Sequence, residues 1–144
     1  MNKSFKQIVS QINLFADNHK GIKQFESKPL SEYTANNYLY PLMWLELTGI
    51  DYSRGEVQIA LSAYMVDRLE SNYDNFVTVI SNTLKLCDDF SAYFNEYEED
   101  FGFYFDNDSP ISPVEYAFDD NVAGNKIDII VHVALNRDRG EVAI

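Results

Sequence analysis

Two stretches of strict alternation, separated by a long helical stripe, most constrain what this chain can become. Val57, Ile59, Leu61, Ala63 and Met65 alternate with Gln58, Ala60, Ser62, Tyr64 and Val66, the two-residue period of a half-buried strand. Ile127, Ile129, Val131, Val133 and Leu135 repeat that period near the end. Between them Tyr73, Phe76, Ile80, Leu84, Cys87, Phe90, Phe94 and Tyr97 step by three or four. This stripe predicts one face of a helix of about 25 residues.

The rest of the chain fills in around these elements. Phe5, Ile8, Val9, Ile12, Phe15 and Ala16 predict an amphipathic helix over 2–18, with His19, Lys20 and Gly21 as its stop. Ile22 and Phe25 suit a short strand, and Ser31 a short helical turn through Tyr33 and Ala35. Residues 38–48 read as a strand whose nearly continuous apolar start predicts cover on both faces, with Pro41 near its beginning. Residues 49–55 read as a polar loop, so this strand and 57–66 form a hairpin with a long tip. Asn72 is the expected cap of the long helix, with Asp74 in its first turn. Pro110 and Pro113 break the chain, Val114, Tyr116 and Phe118 mark a short strand, and 119–125 a turn.

The order α-β-β-α-β-β predicts an α+β fold, an antiparallel four-stranded sheet with helices packed on one face. At 144 residues the chain reads as a single domain, 1–144, with 136–144 as a C-terminal arm. Leu61, Phe76, Ile80, Leu84, Ile129 and Val131 are the expected core where the second helix meets the sheet. The open edges of such a sheet must be paired, covered or charged.

Charge narrows the partners. The formal charge is −12. From Asp88 to Asp128 there are twelve acids and a single base, Lys126, whereas the first 28 residues hold five lysines and two acids. Such a chain is not expected to grip nucleic acid tightly, which requires cations on the phosphates. It suits docking to a basic neighbour. One cysteine, Cys87, rules out an intrachain disulfide. The N-terminal residues lack the apolar run of a signal peptide, and nothing approaches the roughly 18 apolar residues that span a bilayer. A reducing cytoplasm and no membrane partner are expected.

The residues offer little chemistry. Asp106-Asn107-Asp108 opens like a calcium loop, but the sixth and twelfth positions are Ile111 and Ala117 instead of glycine and glutamate. Asp119-Asp120 reads as a solvated turn. Cys87 falls on the apolar helix stripe, and His19 and His132 belong to no motif that links either to a nucleophile. No catalytic residue, metal site or cofactor is expected. The expected functional surface is an interface loop: Glu96, Tyr97, Glu98, Glu99, Asp100, Phe101, Phe103, Tyr104 and Phe105, with aromatic anchors among acids. The spacing of Phe101, Phe103 and Phe105 also fits a strand that turns these rings into the monomer.

Three segments carry a resemblance: Tyr40-Pro41-Leu42-Met43-Trp44, Val66-Asp67-Arg68 and Phe118-Asp119-Asp120-Asn121-Val122-Ala123-Gly124. In this order and spacing the chain resembles small structural proteins of phages of Bacteroidetes hosts, including crAss-like phages, from the first helix to about Arg139. The wider class is the tail-terminator or tail-completion type. The resemblance implies a non-enzymatic virion protein, a ring-forming subunit at the neck or tail (head-tail connection or tail completion). Its partners would be copies of itself and neighbouring portal, neck or tail proteins, and it would reside in the host cytoplasm during assembly. The segment Gly140-Glu141-Val142-Ala143-Ile144 matches nothing in that pattern. The alternative is an acidic cytoplasmic binding module, a nucleic-acid mimic or partner-docking protein using residues 96–108.

Overall fold

The computed structural model describes residues 4–34, 38–53, 55–96, 103–106, 110–114 and 121–134. Helix α1 (Phe5–Asn18) is followed by strands β1 (Gln24–Ser27), β2 (Leu42–Ser53) and β3 (Glu56–Arg68). Helix α2 (Phe76–Glu96) and strands β4 (Tyr104–Phe105), β5 (Ile111–Val114) and β6 (Val122–Ala134) complete the order. The fold is α+β, as the patterning predicts. The sheet is corrected: six strands are found among the described residues, and one pair, β1 with β2, is parallel. The strands beyond the four expected are β1, of four residues, and β4, of two, the latter too short for a period to show. β1 lies where Ile22 and Phe25 suit a short strand, and pairs with the start of β2.

The strands run in the order β1-β2-β3-β6, and β4 and β5 share the far edge of β6. Phe105 pairs with Val131, and Ile111 to Val114 pair with Ile127 to Gly124. Both long antiparallel ladders are in the register that the alternation demands. Leu61 lies between Leu47 and Ile129, and Met65 between Met43 and Asn125.

Ser4 caps α1. Its Oγ accepts the Gln7 N–H at 3.2 Å, and the Gln7 side chain returns the bond to the Ser4 N–H at 2.8 Å. Ile8, Ile12, Phe15 and Ala16 are thereby turned onto the sheet. They join Leu86, Cys87, Phe90 and Phe94 of α2 over Val57, Ile59, Leu61, Ile127, Ile129 and Val131. The other sheet face carries a smaller core, Leu42, Trp44, Tyr64, Val66, Val114 and Val122, lidded by Leu30, Tyr33, Tyr38 and Tyr40. Two-sided cover of the start of β2 is thus observed, by the helices on one side and the 28–41 connection on the other. Trp44 seals that lid by donating its indole N–H to the Lys28 carbonyl at 3.0 Å.

The phase of α2 differs from the predicted stripe. Leu61, Ile129 and Val131 are buried, but Phe76 and Ile80 are half-buried and Leu84 is 42% exposed. The inward face is Val79, Thr83, Leu86, Cys87, Phe90 and Phe94. Thr83 enters because its hydroxyl donates to the Val79 carbonyl at 2.7 Å and accepts from Asn125 Nδ2 of β6 at 2.9 Å. Asn125 also donates to the Ile80 carbonyl. A buried polar pair satisfied in this way locks helix to strand. Leu84→Ala is therefore expected to change stability by only about 0.5 kcal/mol or less in a urea melt. A loss of about 2 kcal/mol would show that Leu84 is packed.

Three boundaries also move. β2 runs to Ser53, through the expected loop, because a bulge between Leu47 and Gly49 lets pairing with β3 continue. The tip is then a tight turn at Gly55, whose φ of +81° favours glycine. Asn72 does not cap α2. It lies in a short 3-10 turn, Ser71–Tyr73, at φ 61°, and the helix starts after Asn75, whose side chain bonds Glu70 and Arg68. β6 begins at Val122, inside the expected turn. Tyr116, Phe118 and Leu135 lie outside the described residues, as does the arm 136–144.

Candidate interaction surface

The expected interface segment divides. Tyr97 to Phe101 lie outside the described residues, and Glu96 ends α2. Phe103 and Phe105 are buried within the chain, as the strand reading of their spacing has them. The Phe94 ring stacks on Phe105 at 4.9 Å and lies 6.1 Å from Phe103, so both close the end of the helix core. The alternating-strand reading describes these two rings. Tyr104 points the other way and is 45% exposed.

Tyr104 belongs to a polar clamp on the outer sheet face. Its ring stacks on His132 at 4.6 Å, and its hydroxyl bonds Glu56 at 3.4 Å. His132 Nδ1 meets Glu56 at 2.7 Å and Nε2 meets Asp106 at 2.6 Å. Both ring nitrogens donate only in the imidazolium. Burial lowers the His132 pKa, but the hydrogen bonds that His132 donates to Glu56 and Asp106 outweigh it, leaving it above 6.5. The bond from His132 in turn holds Glu56 below 4.5. A raised histidine pKa stabilises the fold fully below the unfolded value of 6.5, and that stabilisation is lost as pH rises through the folded pKa. The Glu56 contribution is present above 4.5 and lost as pH falls through its folded pKa. Between 4.5 and 6.5 both are present. The Tm advantage of the wild type over His132→Gln is expected to be largest there and to shrink as pH rises through neutrality. A gap that stays constant would count against the clamp.

The other candidate chemical groups are similarly engaged. His19 Nδ1 accepts the Gly21 N–H at 3.0 Å and Nε2 meets Asp89 at 2.9 Å. Both ring nitrogens are thus hydrogen-bonded within the chain. This pair borders a cleft of about 320 Å³ that also touches Lys23, Asp67 and Lys85. Burial raises the Asp67 pKa. The Cys87 thiol is buried, and burial pushes its pKa up to about 12, which disfavours the reactive thiolate. The structure does not bring Cys87, His19 and His132 together. No cluster of metal-ligating side chains occurs among the described residues. No helix among them is long and apolar enough to cross a membrane.

What stands out is an edge of which the sequence reading placed 46–48 in a strand and 49–53 in a loop. β1 covers β2 only from Leu42 to Leu45. From Glu46 to Ser53, β2 pairs with β3 alone among the described residues. Leu47, Ile50 and Tyr52 lie opposite Leu61, Ile59 and Val57, and so on the helix-bearing face. They are 44%, 44% and 58% exposed, while their partners are buried. Glu46 and Asp51 lie on the opposite face, beside Ser62 and Gln58. The signal was available: Ile50 and Tyr52 alternate, and Gly49 marks the bulge. The far edge of the sheet differs. β5 contains Pro113 and follows Pro110, and prolines blunt an edge by removing donors.

No protein-family model matches the chain, and a search of curated proteins finds no match.

Proposed function

We propose that this chain is a non-enzymatic structural subunit of a phage particle, a ring-forming protein of the neck or tail that makes the head-tail connection or completes the tail. The observation that carries self-association is the edge of β2, where residues 46–53 pair with β3 alone among the described residues, beside exposed Leu47, Ile50 and Tyr52. Exposed edges of this kind are templates for another strand. The phage setting rests on the sequence segments Tyr40 to Trp44, Val66 to Arg68 and Phe118 to Gly124. The charge of −12 fits a ring that lets DNA pass without holding it. Its partners are further copies of itself and adjacent portal, neck or tail proteins, in the virion after assembly in the host cytoplasm.

Native mass spectrometry and negative-stain microscopy of the purified chain test this. One closed oligomer of fixed copy number is expected. A chain that stays monomeric at high concentration would overturn the ring. The same charge favours a second reading, an acidic module that docks a basic partner. It predicts a monomer that forms a one-to-one complex with such a partner.

A further inference from the structure

The open edge has a size, an apolar side and an acidic side, and one stretch of the chain matches all three. Residues 46–53 present an edge of roughly 26 Å. Residues 135–144, which follow β6, reach up to about 33 Å when extended. In an extended strand successive side chains take opposite sides. Val142 and Ile144 then share one side of that stretch with Asp138, and Arg137 and Arg139 the other with Glu141. β2 is divided in the same way, with Leu47, Ile50 and Tyr52 on one face and Glu46 and Asp51 on the other.

We infer that residues 135–144 of one copy add as a strand to the open β2 edge of a second copy, Val142 and Ile144 against Leu47, Ile50 and Tyr52, and Arg137 and Arg139 on the side of Glu46 and Asp51. This rests on the ring reading and names its contact. The position of the chain exit favours transfer between copies. β6 ends at Ala134, opposite Glu56 and beside the hairpin turn. To reach the outside of its own β2, the segment would cross three strand spacings, roughly 14 Å, and then reverse direction. That would take about half the extended length of residues 135–144 before any pairing begins. On a neighbour the whole segment is free to pair. Edge-to-edge pairing of two β2 strands would set Glu46 and Asp51 of both copies on one face, like charges beside one another. It would also form a two-fold dimer that stops growth, whereas a segment passed to the next copy is a head-to-tail contact able to close a ring.

The experiment uses the full chain, the Ile50→Lys variant, and a double variant, Val142→Asp with Ile144→Asp. Light scattering after size exclusion gives the oligomeric state, and circular dichroism confirms that each variant keeps the wild-type spectrum and melt. A fluorescent peptide of residues 135–144 is then titrated into each protein. The expected result is an oligomeric wild type, two folded monomeric variants, and saturable binding of the peptide to the double variant, whose edge is vacant. Ile50→Lys should bind the peptide about tenfold more weakly or worse, the size of a lost interface anchor. An oligomer that persists in both variants, with no peptide binding, overturns this contact and leaves the ring reading standing. A monomeric wild type overturns the ring reading. If its double variant still binds the peptide, the segment sits on its own edge, and transfer between copies is overturned as well.

Discussion

Gly124→Ala is expected to cost about 3 kcal/mol or more of stability, the upper end for forcing atoms into a closed space. A Cβ at this position would lie 2.0 Å from the Met65 carbonyl oxygen and 2.8 Å from Val66 Cα. These are backbone atoms of β3, so no side chain can swing aside. The two strands would have to part where Gly124 pairs with Val66 on one side and Val114 on the other. This gives a steric reason for the glycine that ends the segment Phe118 to Gly124. Gly49→Ala is the control. Its nearest neighbour would be Ala60 Cβ at 3.9 Å, an ordinary contact. Urea melts of both variants check this: a shifted midpoint for Gly124→Ala with the slope retained, and little change for Gly49→Ala. If the two behave alike, the close approach of β3 and β6 is wrong.

Phe94→Ala is expected to cost about 3–5 kcal/mol, the usual range for emptying a buried aromatic site. Phe94 is 1% exposed, and its ring lies 5.1 Å from Phe90, 6.2 Å from Phe15 and 4.9 Å from Phe105. It therefore joins α1, α2 and β4 at one point. No single neighbour can fill the space, because each belongs to a different element already anchored elsewhere. The same melts measure it, with Leu84→Ala as the exposed partner on the same helix. A loss below about 1 kcal/mol would mean that the aromatic cluster is not packed. It would also reopen the reading of Phe103 and Phe105 as contact residues, since their burial depends on Phe94.

Gly124 and Phe94 support different parts of the fold. Gly124 holds the β3–β6 ladder, which ends beside the chain exit at Ala134. Phe94 holds the helices over that ladder. Neither touches the β2 edge. A variant at Leu47, Ile50 or Tyr52 that abolishes assembly should therefore leave both stabilising features intact, which separates loss of contact from loss of fold.

The local patterns in the sequence determined α1, β3, the second half of α2 and β6. In each, apolar residues recur at the period of the element and face a single core. They also determined that β3 and its neighbours run antiparallel, and that one face of the sheet would carry the helices. Tertiary structure decided the remainder. Leu84 and Thr83 are adjacent, and apolarity alone selects Leu84. The inward turn of Thr83 depends on Asn125, forty-two residues away in sequence. β1 exists because the start of β2 offers it a parallel edge, and β4 and β5 are strands because β6 is long enough to pair with both. The interface segment 96–105 was legible as aromatic and acidic, but which rings turn inward depended on the end of α2. The β2 edge was hidden by a bulge that shifts the alternation by one residue, so that a strand read as a loop. Periodicity reports which side chains share a face. Only the assembled sheet decides which face is covered, and which edge is left for another chain.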